Sequence, residues 1–195
     1  MVIKKKAIFF DRDGVLNNNI FYKKYGQFEA PLSKKDLIIN PKINFIKKLN
    51  KKYLIFVITN QPAAAKKKTS FIKLEETKSK FLNIIKKKKI IIQEYLHCLN
   101  DENSKINYCK NLNYCKYKLK KKTNNICKKP SNLLIEYCIR KYNLDRKKSI
   151  FIGDRITDMM AAKKSKLNFI LFKNNSNKDI NVKKNQSIDN LEKIC

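Results

Sequence analysis

Ala7-Ile8-Phe9-Phe10-Asp11-Arg12-Asp13-Gly14 runs through four apolar residues and then breaks into two carboxylates flanking a guanidinium. A short continuous apolar run closed by a polar turn is the pattern of a strand buried on both faces, as in a parallel sheet. If the strand continues to Asp11, then Asp11 and Asp13 project to the same side of the pleat. Two anions that close repel each other unless a cation lies between them or one is protonated. A divalent, oxygen-seeking ion together with phosphate relieves the repulsion, and magnesium uses few protein ligands in such sites. Taken alone, the pair reads as a solvated acidic turn.

Outward from this stretch, apolar runs alternate with segments of helical period. Ile43, Phe45, Ile46 and Leu49 recur at helical spacing after Pro41. A second strand is predicted over 53–58, a helix over 70–86, a third strand over 90–95 and a cysteine-bearing loop over 96–128. A helix over 131–142, a strand over 149–152, a helix over 157–164 and a strand over 168–172 follow. Residues 15–40 read as irregular and 174–195 as loose, with a terminal helix expected at 188–194. The alternation predicts an α/β fold: one domain over 1–195, a three-layer Rossmann-like parallel sheet with helices on both faces. Ligands of such sheets bind beyond the carboxyl ends of the strands. No stretch in 15–40 or 60–90 is long enough to add a large cap domain.

The 195 residues suffice to bury about 70% of the unfolded surface. An apolar share of 43% suits a globular protein, and the longest apolar runs are far too short to span a bilayer. The N-terminus enters its first strand too early for a signal peptide, so a cytoplasmic monomer without a membrane partner is expected. The net charge of +30 raises the question of nucleic acid. However, 42 of the 46 basic residues are lysine, spread over the whole chain. Bidentate readout of phosphates or base edges would favour arginine. The charge therefore reads as solvated lysine surface, with a field that draws small phosphorylated metabolites.

The other predicted strand ends repeat the theme. Thr59-Asn60-Gln61 offers a hydroxyl and two amides where a phosphoryl oxygen would need donors. Lys128 and Lys129 follow the cysteine loop, and Phe151-Ile152-Gly153-Asp154 is another strand ending in glycine and carboxylate, with Asp158 four residues on. Of three glycines in the chain, Gly14 and Gly153 adjoin these acidic motifs, where the backbone must turn sharply or approach a ligand.

In this order and placement the four segments resemble the motifs of the haloacid dehalogenase superfamily, over residues 6 to about 172. Phe10-Asp11-Arg12-Asp13-Gly14, Val57-Ile58-Thr59-Asn60-Gln61, Cys127-Lys128-Lys129-Pro130 and Gly153-Asp154-Arg155-Ile156-Thr157-Asp158 are most similar to its capless branch of heptose bisphosphate phosphatases and histidinol-phosphatases. The resemblance implies that Asp11 attacks phosphorus and that Asp13 protonates the leaving oxygen, then deprotonates water. It implies that Lys129 holds the nucleophile and the phosphate, that Thr59 donates to a phosphoryl oxygen, and that Asp158 positions Lys129. Mg²⁺ is expected on Asp11, Asp154 and the Asp13 carbonyl, with Gly14 and Gly153 in support. Arg12, Asn60, Gln61 and Lys128 are expected on the substrate, a sugar bisphosphate. The leading expectation is release of the C7 phosphate of heptose 1,7-bisphosphate, and the nearest rival is histidinol phosphate. A polynucleotide 3′-phosphatase and a non-catalytic binding domain stand further off. The chain departs from the branch at residues 62–68 and at Ser131-Asn132, segments expected near the substrate.

The branch also carries zinc in the loop before the basic pair. The resemblance places Cys127 on the last of those ligands and Cys98 near the first, with His97 as an alternative. Cys109 and Cys115 would complete a tetrahedral thiolate set. The other reading is four ordinary thiols in a degenerate loop.

Overall fold

The computed structural model describes residues 4–101, 103–104, 127–182 and 186–194. The opening stretch forms β1 (Ala7–Phe10), every residue of it buried. It pairs in parallel with β4 (Leu54–Asn60) on one side and β6 (Ile150–Gly153) on the other. Adding β5 (Glu94–Cys98), β7 (Asn168–Phe172) and the two-residue β8 (Ser187–Ile188) gives the order β5-β4-β1-β6-β7-β8.

Pleat alternation divides the core. Ala7 and Phe9 face the side covered by α3 (Leu133–Tyr142) and α4 (Ile156–Lys164), through Leu134, Ile135, Cys138, Ala161 and Ala162. Ile8 and Phe10 face the side covered by α1 (Ile46–Leu49) and α2 (Phe71–Lys87), through Ile46, Leu49, Phe81 and Ile85. Ser70 caps α2 by accepting from the Lys73 amide at 3.2 Å.

From β1 the chain moves outward to β4 and β5, then returns to the other side for β6, β7 and β8. That reversal opens a crevice at the carboxyl ends of β1 and β6. Register fixes what meets there, because Phe10 lies opposite both Val57 and Ile152. Asp11, Thr59 and Asp154 therefore emerge together.

Three expectations need correction. The third strand is Glu94–Cys98 rather than 90–95. Ile90 closes the end of α2 by donating to Ile85 O, and Ile91 is 67% exposed, so the triple isoleucine is an irregular connection ahead of the strand. Residues 15–40 include an antiparallel hairpin, β2 (Ile20–Tyr22) and β3 (Gln27–Glu29), turned at Gly26 with φ +62°. The segment after β7 is anchored: Asn177 is buried, and β8 pairs with β7. Its expected terminal helix is a single 3-10 turn, Leu191–Lys193. Among the described residues no helix is long and apolar enough to cross a membrane.

Candidate active site

Lys129 organises the crevice. Its side chain is buried, and Nζ lies 3.0 Å from Asp11 Oδ1, 2.6 Å from Asp158 Oδ1 and 2.9 Å from Ile58 O. Three acceptor oxygens thus surround the three N–H donors of the ammonium. Burial alone would lower the pKa of Lys129, but the charges of Asp11 and Asp158 outweigh it and raise the pKa. Asn60 fixes the backbone here, accepting from Lys129 N at 2.9 Å and donating to Lys129 O at 3.1 Å. Asn60, expected on the substrate, thus serves the lysine.

Asp11 receives a second donor on the same oxygen, since Arg12 N donates to Oδ1 at 2.7 Å. Among the described residues both donors to Asp11 fall on Oδ1. Asp13 has a separate set of donors. Arg12 grips it through Nε at 2.9 Å and Nη2 at 2.8 Å, Asn17 donates at 3.0 Å, and Thr59 Oγ1 donates to Oδ2 at 3.2 Å. Gln61 Nε2 donates to the same Oδ2. Arg12, also expected on the substrate, is fully buried, and its remaining arm donates to Tyr95 Oη at 2.9 Å. Burial disfavours that guanidinium, yet Asp13 and Tyr95 raise its pKa overall. Lys128 donates to Asp101 Oδ1 at 2.8 Å. In this structure, then, Arg12, Asn60, Gln61 and Lys128 each donate to the protein itself.

Asp11, Asp154 and Asp158 each bring an oxygen within 4.8 Å of the others. Asp158 accepts from the Arg155 amide through Oδ2 at 3.0 Å, and its Oδ1, which has no hydrogen bond among the described residues, is ion-paired to Lys129 at 2.6 Å. That leaves Asp11 and Asp154 as the carboxylates with room for an ion. Asp154 is fully buried, and among the described residues its Oδ1 has no hydrogen-bond partner. Burial first, and Asp158 second, push the Asp154 pKa up to about 6. Burial also holds Asp11 well above the usual carboxylate range, against the pull of Lys129. A desolvated, donorless carboxylate oxygen beside a second buried carboxylate fits a hard divalent cation such as Mg²⁺.

Both glycines singled out in the sequence permit these approaches. Gly14 has φ +84°, and a Cβ on it would meet Asp154 Oδ2 at 2.0 Å; one on Gly153 would meet the Asp158 Cβ at 2.4 Å. Asn19, Asn174, Asn177 and Arg155 around Asp154 were not anticipated. Asparagine is too common in this chain, and segments read as irregular or loose carry no periodicity to place it.

Cys98, at the end of β5, is joined to Cys127 by a disulfide with Cα atoms 5.5 Å apart. Cys109 and Cys115 lie outside the described residues. His97 does not share the Cys98 side of the strand, because adjacent strand residues face opposite ways. Its ring stands edge-on to Tyr95 at 5.9 Å, and burial, with help from Lys78 and Arg12, lowers its pKa to about 3. The alternative ligand is therefore set apart from the cysteine pair.

The HAD-hydrolase-like family model matches residues 126–192. The chain is 30% identical to the D-glycero-alpha-D-manno-heptose-1,7-bisphosphate 7-phosphatase of Campylobacter jejuni over 180 residues, 91% of this chain and 87% of that protein. It is 29% identical to the enzyme of the same name from Photorhabdus laumondii, covering 83% of this chain and 79% of that protein. Its backbone matches the D,D-heptose 1,7-bisphosphate phosphatase of B. bronchiseptica, solved with magnesium and phosphate, with TM-score 0.72 and 17% identity over 96% of this chain and 94% of that one. The chain belongs to the haloacid dehalogenase superfamily of phosphatases, in the same family as the Campylobacter enzyme.

Proposed function

We propose that this phosphatase is magnesium-dependent, works through an aspartyl phosphate on Asp11, and removes the C7 phosphate of D-glycero-D-manno-heptose 1,7-bisphosphate. The observation that carries the chemistry is the buried Lys129 on Asp11 Oδ1, which directs the opposite oxygen, Oδ2, toward an incoming phosphoryl group. The names of the Campylobacter and Photorhabdus relatives support the substrate.

In the first step Asp11 Oδ2 bonds to phosphorus as the bond from phosphorus to the sugar oxygen breaks, and Asp13 gives that oxygen a proton. In the second, Asp13 takes a proton from water, the water oxygen bonds to phosphorus, and inorganic phosphate leaves with Asp11 regenerated. Lys129 holds Asp11 and offsets charge on the phosphoryl oxygens. The Thr59 hydroxyl turns from Asp13 to a phosphoryl oxygen once phosphate is seated. Asp11, Asp154 and the Asp13 carbonyl are the groups that would hold Mg²⁺, which when bound neutralises phosphoryl charge. A zinc site on Cys98, Cys109, Cys115 and Cys127 belongs to this reading only for the reduced protein. Metal analysis under reductant should then find about one equivalent, and finding none removes it.

Phosphate release should be compared for heptose 1,7-bisphosphate, histidinol phosphate and a 3′-phosphorylated oligonucleotide, with and without Mg²⁺. The heptose should be turned over fastest, only with Mg²⁺, and Asp11→Asn should abolish turnover while the fold persists. Preference for either other substrate overturns the substrate, and activity in Asp11→Asn overturns the nucleophile.

A further inference from the structure

Asp154 sits in a cage of three asparagine side chains. Asn174, two residues after β7, donates through one Nδ2 to Asp154 Oδ2 at 3.0 Å and to Gly14 O at 2.9 Å. Asn19, from the loop before β2, donates to the same Oδ2 at 3.2 Å and to Ser176 Oγ at 3.2 Å. Asn177, buried, donates to Asp154 O and to Phe172 O, both at 2.8 Å. The amide orientation of Asn174 is fixed from its other end: Oδ1 accepts from Ser176 N at 2.8 Å and from Ser176 Oγ at 2.6 Å. Two donors therefore converge on Oδ2, while Oδ1 of the same buried carboxylate has none among the described residues. The carboxylate cannot rotate its two oxygens without breaking both bonds.

We infer that Asn174 is a positioning residue of the metal site, assisted by Asn19: it pins Oδ2 of Asp154 against the motif backbone at Gly14 so that Oδ1 is the oxygen presented to the ion. By donating to Gly14 O as well, Asn174 ties the β6 carboxylate to the loop that carries Asp11 and Asp13. It thereby sets the spacing of the ligands as well as the aim of one. Hydrogen bonds that orient a ligating carboxylate commonly govern metal affinity by 10- to 100-fold. The inference rests on the magnesium reading above.

The test is isothermal titration of Mg²⁺ into the metal-free protein, alongside the Mg²⁺-induced rise in melting temperature, for wild type, Asn174→Ala, Asn19→Ala and Asn177→Ala. Asn174→Ala should weaken Mg²⁺ about 10- to 100-fold. Asn19→Ala, which removes the longer of the two bonds, should weaken it less, and Asn177→Ala, which leaves Oδ2 untouched, least. If Asn174→Ala does not fold, Asn19→Ala carries the test alone, with a several-fold loss expected. Unchanged Mg²⁺ affinity in a folded Asn174→Ala, or loss in Asn177→Ala equal to that in Asn174→Ala, overturns the inference while sparing the magnesium reading. Wild type that takes up no Mg²⁺ overturns both.

Discussion

Asp154 reaches the end of β6 without solvent and with the charge of Asp158 nearby, and the two push its pKa to about 6 from an ordinary value of 3.8. The sign of the consequence follows from proton counting. Between those two pH values the folded chain keeps a proton that the unfolded chain has released, so raising pH through this window costs the metal-free protein stability. Asp11 is shifted in the same direction. Mg²⁺ must displace such protons before it can bind. The rise in melting temperature on adding Mg²⁺ should therefore be small near pH 5 and grow to its full size by about pH 7. A rise that is the same at both ends would count against Asp154 as a ligand. Gly14 supplies a second check on the same few atoms. Gly14→Ala meets a left-handed backbone, a cost of about 1–3 kcal/mol, and a Cβ on top of Asp154 Oδ2. Chemical denaturation should show that loss, together with weakened Mg²⁺ binding. A variant of wild-type stability and affinity would contradict the close packing of motif and carboxylate.

The central strand shows why the sheet was legible and where legibility stopped. Ala7-Ile8-Phe9-Phe10, Leu54 to Ile58 and Phe151-Ile152 are apolar on both faces because helices cover both sides, and that leaves an unbroken signal in the sequence. The candidate site residues lie at or just beyond the ends of these strands, so reading a strand end also picked out Asp11, Thr59 and Asp154 as candidates. Where an element is partly solvated the signal fails. β5 hides Glu94 and His97 inside its run, and the isoleucines that mimic a strand sit just before it. The β2–β3 hairpin leaves Phe21 52% exposed and buries none of its residues fully, so its alternation is faint in the sequence. The asparagines that hold Asp154 were invisible for another reason: their role depends on contacts across 135 and 160 residues of chain. The strength of the central element can be measured. Phe9 is fully buried, stacked on Phe56 at 5.1 Å and facing Phe151 at 6.3 Å. Phe9→Ala should cost about 3–5 kcal/mol in denaturant unfolding, because β1 has paired strands on both sides and little freedom to collapse into the cavity. A loss below about 1 kcal/mol would mean the layer is not packed as described.

At the scale of the molecule, the net charge of +30 acts on folding and on substrate in opposite senses. Exposed pairs such as Lys34 with Glu76 and Lys42 with Glu192, both at 3.4 Å, contribute little individually. They leave most lysines repelling one another through solvent, which disfavours the compact state. Salt screens that repulsion over about 10 Å at 0.1 M, so the melting temperature should rise as NaCl increases from low concentration. The same field raises the local concentration of an anionic substrate, so kcat/KM for a bisphosphate should fall over the same range, by as much as about tenfold. Turnover itself should hardly change. Lys129 and Asp11 are buried and in direct contact, and mobile ions do not reach between them. The diagnostic result is thus three salt dependences measured on one preparation: stability rising, kcat/KM falling, kcat flat. If kcat fell in step with kcat/KM, the charges that matter would be those of the site itself, and the lysine surface would have no part in capturing substrate.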